Sequence, residues 1–351
     1  MKTKNKFIII NLVFLLFLLG CNITSSNQKT KDIDVRVGLN GLVLEFIKNT
    51  PPVKVFEGDT FPVIVKIRNN GAYTIDKDKA IISLGVEKDY TRGLKLQTTE
   101  SVNKVEITQS NDKLKDQPAM FGIEGKTTIN TNGGFEVVSY DLQAGNVDPQ
   151  SEAHSSIVIA TACYSYQTIL STTVCIDTDV SGTKPGKKVC NMQDLTFSNG
   201  QGAPVAITKI EINMLPAKIS NENEITQIKP QFLIYIENKD KGNVILNGIE
   251  KEYCTQSSVG HDKLNKIWVK ASLGGKELDC KTLKKDLSSQ SENDNYVKLL
   301  DKKALARCII KEENNVARNA DNYLSPLRVE LTYGYTQSIA ANYFIQKATG
   351  Q

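Results

Sequence analysis

Along most of this chain apolar and polar residues alternate with a period of two, the pattern of strands with one buried face. In Phe61–Gly71, Val63, Val65 and Ile67 alternate with Ile64, Lys66 and Arg68, and Asn69, Asn70 and Gly71 then supply a tight turn. Ala80–Val86, Glu136–Leu142, Ser156–Tyr166, Ile210–Met214, Phe232–Asn238, Lys266–Leu273 and Leu327–Tyr335 read as further strands. Further candidates are Val35–Phe46, Val53–Gly58 and the short Lys104–Thr108. The segment 282–306 is expected to hold one or two short helical turns, with Leu299, Leu300, Ala304 and Leu305 buried. Many short strands with turn residues between them predict an all-β sandwich fold.

One phrase occurs twice. Tyr164–Ser–Tyr166 is followed by Thr172–Ile176, and Tyr333–Gly–Tyr335 by Asn342–Ile345. Each spacing predicts a hairpin: a strand with both tyrosines on one face, a short turn and a partner strand. A shift of 169 positions carries Tyr164 and Tyr166 onto Tyr333 and Tyr335, and Val63, Val65, Ile67 and Asn69 onto Phe232, Ile234, Ile236 and Asn238. Two strand motifs that agree in offset and in parity point to duplication, because a one-residue slip would swap the faces. The expected layout is two tandem Ig-like β-sandwich domains, 34–178 and 194–351, joined by a Gly-, Pro- and Lys-rich linker, 179–193. The paired tyrosines fit either buried packing residues, like the tyrosine corner of Ig folds, or an exposed aromatic patch for a glycan or protein partner.

The amino terminus changes the address. Lys2, Lys4 and Lys6 precede the apolar run Phe7–Leu19, whose thirteen residues reach about 20 Å as a helix, short of a bilayer core of about 30 Å. Residues 1–20 are therefore expected to form a signal peptide. Leu18–Leu–Gly–Cys21 resembles the lipobox of secreted lipoproteins, which implies lipidation of Cys21, with 21–33 as a polar tether. Six further cysteines remain: Cys163, Cys175, Cys190, Cys254, Cys280 and Cys308. An even number in an exported chain favours disulfides. Cys280–Cys308 is the preferred pair, and a bridge is expected among Cys163, Cys175 and Cys190 without the spacing choosing which.

Charge and motif content narrow the chemistry. Of 43 basic residues three lie in 1–20, which leaves 40 against 39 acidic ones in the expected mature chain, so no nucleic-acid partner is expected. The only histidines, His154 and His261, lie in polar, turn-like surroundings and read as solvated loop residues. Asp177–x–Asp–x–Ser–Gly182 imitates the start of an EF-hand loop, but Lys188 stands at the twelfth position, where calcium needs a carboxylate. No catalytic residues, cofactor or metal site are expected.

The tandem phrase Gly–Leu–x–Leu–x–Phe, Pro–Pro and Phe–x–Val–x–Val–x–Ile–x–Asn–x–Gly at 41–71 resembles the opening of Ig-like domains of the archaeal adhesion-related, CARDB-like kind. Phe121–Lys126, Cys163–Tyr166, Val174–Asp177, Gly200–Val205 and Leu331–Tyr335 are similar to recurring motifs in surface proteins of small-genome archaea. The resemblance implies paired Ig-like sandwiches on the outer face of the cytoplasmic membrane, held there by a lipid anchor. The lipobox, the polar tether, the even cysteines and the repeat together lead to the expectation of a non-enzymatic adhesion, envelope-assembly or protein-binding role; the alternative is a solute- or glycan-binding lipoprotein.

Overall fold

A computed structural model describes residues 34–98, 103–104, 118–179, 182, 187–219, 225–255, 259–282 and 295–348. The expected signal peptide, Cys21 and the tether to residue 33 lie outside them, as do 105–108 of the candidate strand Lys104–Thr108. The described chain is all-β, as the alternation predicts, and consists of layered sheets that are antiparallel except where β2 pairs with β19. Among the described residues no helix is long and apolar enough to cross a membrane.

The first half contains β1 (Leu42–Phe46), β2 (Lys54–Phe56), β3 (Thr60–Asn69), β4 (Ile75–Val86), β5 (Thr91–Thr98), β6 (Asn103–Lys104), β7 (Ala119–Ile123), β8 (Phe135–Ala144) and β9 (Ala153–Ile176). The second contains β10 (Leu195–Thr196), β11 (Val205–Ile219), β12 (Ile225–Asn238), β13 (Asn243–Ile245) and one short helix, α1 (Glu250–Thr255). It continues with β14 (Lys266–Leu273), β15 (Lys276–Thr282), β16 (Tyr296–Lys298), β17 (Lys303–Ile310), β18 (Val316–Ala317) and β19 (Tyr323–Gln346).

The halves repeat one plan. Strands β1-β3-β8-β5 form one layer, and β11-β12-β17-β15 form its counterpart in the same hydrogen-bonding order. Registers agree residue by residue: Leu42 faces Asn69 as Val205 faces Asn238, and Val65 faces Val138 as Ile234 faces Ala306. The offset is 169 along β3 and β12 but 163 between Leu42 and Val205, so insertions and deletions fall in the connections. Each layer packs its alternating apolar face onto a central sheet that contains β4, β9, β19 and β14. Phe61 meets Tyr343 at 5.2 Å between ring centres, and the Tyr140 hydroxyl donates to Ile82 O across the first sandwich.

The two sandwiches share that central sheet. β9 and β19 are each 24 residues long and pair antiparallel over their whole length, from Ala153 opposite Gln346 to Ile176 opposite Tyr323. At about 3.3 Å per residue the seam runs roughly 80 Å. Ser165 lies opposite Gly334, and these are also mates under the 169-residue shift, so the two-fold relation that exchanges the halves passes through this pair. On the outer side the symmetry breaks. There Gly334 is covered by β13 and α1, where a Cβ would come within 2.7 Å of Ile245 Cγ1 and 3.0 Å of Glu250 Oε1, and the Cys163–Cys254 bridge ties α1 to β9.

Two expectations need correction. No turn follows either tyrosine pair, because β9 and β19 run straight through. Gln167–Thr173 contains no Gly, Pro, Asn or Asp to seed a turn and is rich in β-branched residues, which favour an extended chain. In the segment 282–306 the described residues are strands β16 and β17 instead of helical turns, with Asp301 and Lys302 at positive φ between them; Leu299 is buried, Leu300 is exposed, and 283–294 lie outside the described residues.

Candidate functional site

Tyr164, Tyr166, Tyr333 and Tyr335 all come together at the seam and are fully buried. Tyr164 lies opposite Tyr335 and Tyr166 opposite Tyr333, with ring centres 5.7 and 6.4 Å apart. Their rings face the core, so they offer a partner no aromatic patch, and their hydroxyls serve as backbone clamps. Tyr164 Oη accepts from Leu42 N at 3.1 Å and Tyr333 Oη from Val205 N at 3.3 Å, the two first residues of corresponding strands. Tyr166 Oη donates to Asn69 Oδ1 at 3.2 Å and Tyr335 Oη to Asn238 Oδ1 at 3.0 Å. Each asparagine in turn donates from Nδ2, to Tyr73 O and to Gly242 O. Burial pushes the pKa of all four phenols well above the usual tyrosine value; neighbouring phenols add to this for Tyr164 and Tyr333. Gly71 is required here by close approach, since a Cβ would strike Tyr166 Oη and Gly202 O.

All six cysteines beyond Cys21 are bridged: Cys163–Cys254, Cys175–Cys190 and Cys280–Cys308. The expected Cys280–Cys308 pair is present, joining residues directly opposite in β15 and β17. Cys175–Cys190 is the bridge that spacing left open, and Cys163–Cys254 crosses from β9 to α1. Three disulfides suit an oxidising, extracellular setting.

The histidines stay apart. His154 is not a solvated loop residue: it lies in β9, half-buried, with Nε2 3.0 Å from Glu87 Oε2 and its ring stacked on Tyr90. The hydrogen bond from His154 holds the Glu87 carboxyl below its usual range. His261 occupies a single 3-10 turn, as its turn-like sequence suggests. Lys188 pairs with Asp177 at 2.6 Å, a cation where the EF-hand pattern would need an acid. Among the described residues no cluster of His, Cys, Asp and Glu is arranged to hold a metal.

What remains is surface. On the outer face of the central sheet, first-half end, Ile157, Ile159 and Phe344 are 40%, 39% and 42% exposed. Their register places them side by side: Ile159 opposite Ala340, Ile157 opposite Asn342, and Phe344 diagonal to Ile157. Beside this strip lies a cleft of about 760 Å³ lined by Leu44, Ser83, Thr161, Lys241, Asn243, Tyr253 and 336–339 of β19. Within it Thr161 Oγ1 and Ser338 Oγ are 2.8 Å apart, and Gln337 Oε1 is buried without a hydrogen-bond partner. Ile157 and Ile159 do not stand out in the sequence because Ser156–Tyr166 is apolar on both strand faces, and period two alone does not say which face is covered.

No protein-family model matches the chain, and no curated protein matches it. Among solved structures it is similar to a chain of a type I cohesin–dockerin complex from Clostridium thermocellum, with 15% identity, TM-score 0.23, and coverage of 32% of this chain and 77% of that one. It is also similar to the C-terminal domain of a Streptococcus pyogenes antigen I/II-family protein, with 7% identity, TM-score 0.21, and coverage of 89% and 98%. A third is a collagen adhesin from S. aureus, with 11% identity, TM-score 0.18, and coverage of 90% and 93%. Scores this low carry no argument; the architecture rests on the registers, burial and disulfides of this chain.

Proposed function

We propose that the protein is an extracellular, lipid-anchored, non-enzymatic binding module of the adhesion or envelope-assembly kind. In this reading two Ig-like lobes, 34–178 and 194–351, stand on a tether that starts at lipidated Cys21, with 179–193 between them, as in the CARDB-like domains that 41–71 resembles. The observation that carries it is the strip of Ile157, Ile159 and Phe344, because contiguous exposed apolar side chains on a disulfide-bonded sheet offer a partner apolar area to bury. The polar cleft beside the strip favours the alternative, a solute or glycan ligand, through its hydroxyl and amide groups.

Photo-cross-linking in intact cells tests the reading, with the reactive residue placed at Ile159 or at Arg328, its mate under the two-fold. A discrete protein adduct from Ile159 alone supports it. No adduct, or equal adducts from both sites, contradicts it, and a glycan adduct from Ile159 selects the alternative. Cys21→Ser is expected to release the protein from the membrane fraction; unchanged membrane retention contradicts the anchor.

A further inference from the structure

The far edge of β19 is open in its middle. One edge pairs with β9 throughout, whereas the other is shared among β14 at 327–332, β13 at 334–336 and β2 at 344–346. Among the described residues no strand pairs with this edge across the seven residues Gln337 to Tyr343. Backbone directions follow from the neighbouring bonds: Pro326 O accepts from Gly274 N, and Phe344 N donates to Val53 O. Even-numbered residues of β19 therefore aim their N–H and C=O at this edge. Because the β9 register has no shift, the alternation carries to Ser338, Ala340 and Asn342. All three are exposed.

Two further observations coincide there. The cleft opens along 337–339, with Leu44 and Ile339 as apolar lining and the unpartnered Gln337 Oε1 as an acceptor. The strip of Ile157, Ile159 and Phe344 flanks the same segment on the outer face. The two-fold mate of this stretch, 168–174 of β9, is bracketed only by β4 at 158–164 on its free side, so among the described residues no second strand closes a gap there.

We propose that a partner polypeptide docks by adding one extended strand to β19 between the ends of β13 and β2. This deepens the protein-binding reading above and rests on it. The seven-residue gap spans about 23 Å at a strand's rise, room for a segment of five to seven residues or so. Main-chain bonds to Ser338, Ala340 and Asn342 supply affinity, and alternate side chains supply specificity. A neutral, β-branched segment fits best, with one hydroxyl- or amide-bearing side chain turned into the cleft to donate to Gln337 Oε1.

The test uses the full chain and nine-residue peptides selected on it from a random display library. In the free protein the amides of Ser338, Ala340 and Asn342 are expected to exchange with solvent far faster than those of Ile339 and Ala341; slow exchange at all five means the edge is already filled and overturns the proposal. Ala340→Pro removes an outward N–H and no bond to β9. It should weaken selected peptides at least tenfold, as should N-methylation of alternate peptide residues, which needs no variant to fold. Ser171→Pro, at the mate position in β9, should change nothing. Peptides indifferent to Ala340→Pro, no enrichment at all, enrichment of glycans in place of peptides, or a dimer that Ala340→Pro dissociates would each overturn it. If the Ile159 adduct survives Ala340→Pro in cells, the edge is wrong while the protein-binding reading stands. Ala340-dependent peptide binding without any Ile159 adduct separates the two the other way.

Discussion

The two halves share a frame and differ in what they show to solvent. At the first-half end the outer face carries Ile157, Ile159 and Phe344, whereas their mates under the two-fold are Pro326, Arg328 and Cys175. Arg328 is exposed and paired with Glu330, and Cys175 is buried in its bridge to Cys190. The inner residues do not diverge in this way: tyrosines clamp corresponding strand starts, and Asn69 and Asn238 hold corresponding turns. The repeated plan thus keeps the core alike, where a change is felt through close packing, and differs on the solvent face.

The largest test of that equivalence is truncation of the clamps. Tyr164→Ala and Tyr333→Ala should each cost about 3–5 kcal/mol in denaturant unfolding, since each removes a buried ring and strands a backbone N–H. A small loss at one and a large loss at the other would break the comparison. The halves also differ inside one layer, where the first pairs Leu96 with Tyr140 and the second pairs Cys280 with Cys308 at the matching place. Replacing both cysteines by alanine should cost about 2–4 kcal/mol and lower the melting temperature under non-reducing conditions. Gly71→Ala should cost about 1–3 kcal/mol by forcing Tyr166 Oη away from Asn69, read by the same unfolding measurement.

Alkaline pH probes the seam without mutation. The buried phenols keep their protons in the folded protein above the pH at which they ionise in the unfolded chain, about 10. Stability is therefore intact below that pH and falls as pH rises through and beyond it, because the unfolded state then binds fewer protons. Near-ultraviolet circular dichroism should show this loss, with a shallower slope for Tyr164→Phe; an equal slope contradicts the assignment. The smallest stability effect is at the surface: Ile159→Lys and Arg328→Ala should each stay within about 0.5 kcal/mol. Only Ile159→Lys should abolish capture of a partner; equal loss in both would remove the functional asymmetry.

Much of the frame was legible in the sequence. Parity at Val63, Val65 and Ile67, repeated at Phe232, Ile234 and Ile236, names the buried faces of β3 and β12. An offset identifies equivalent residues but not adjacent ones, so nothing in it said that Tyr164 would lie against Tyr335. Gln167–Thr173, which lacks turn residues, argues against a hairpin more strongly than the spacing of two apolar runs argues for one. Cys163–Cys254 was hidden for the same reason as the seam: it joins residues 91 positions apart, whose proximity is tertiary. The open edge of β19 could not be read at all, because which strand stops where depends on the partners β13 and β2.

The most direct measurement is residue-resolved hydrogen exchange along both halves of the seam. The account predicts slow exchange at Tyr166, Thr168, Leu170 and Thr172 of β9 and at Tyr333, Tyr335, Gln337 and Ile339 of β19, the amides that bond across the pair. Fast exchange at Thr168 and Leu170 would mean that the chain turns there, and that two separate sandwiches stand in place of one shared sheet.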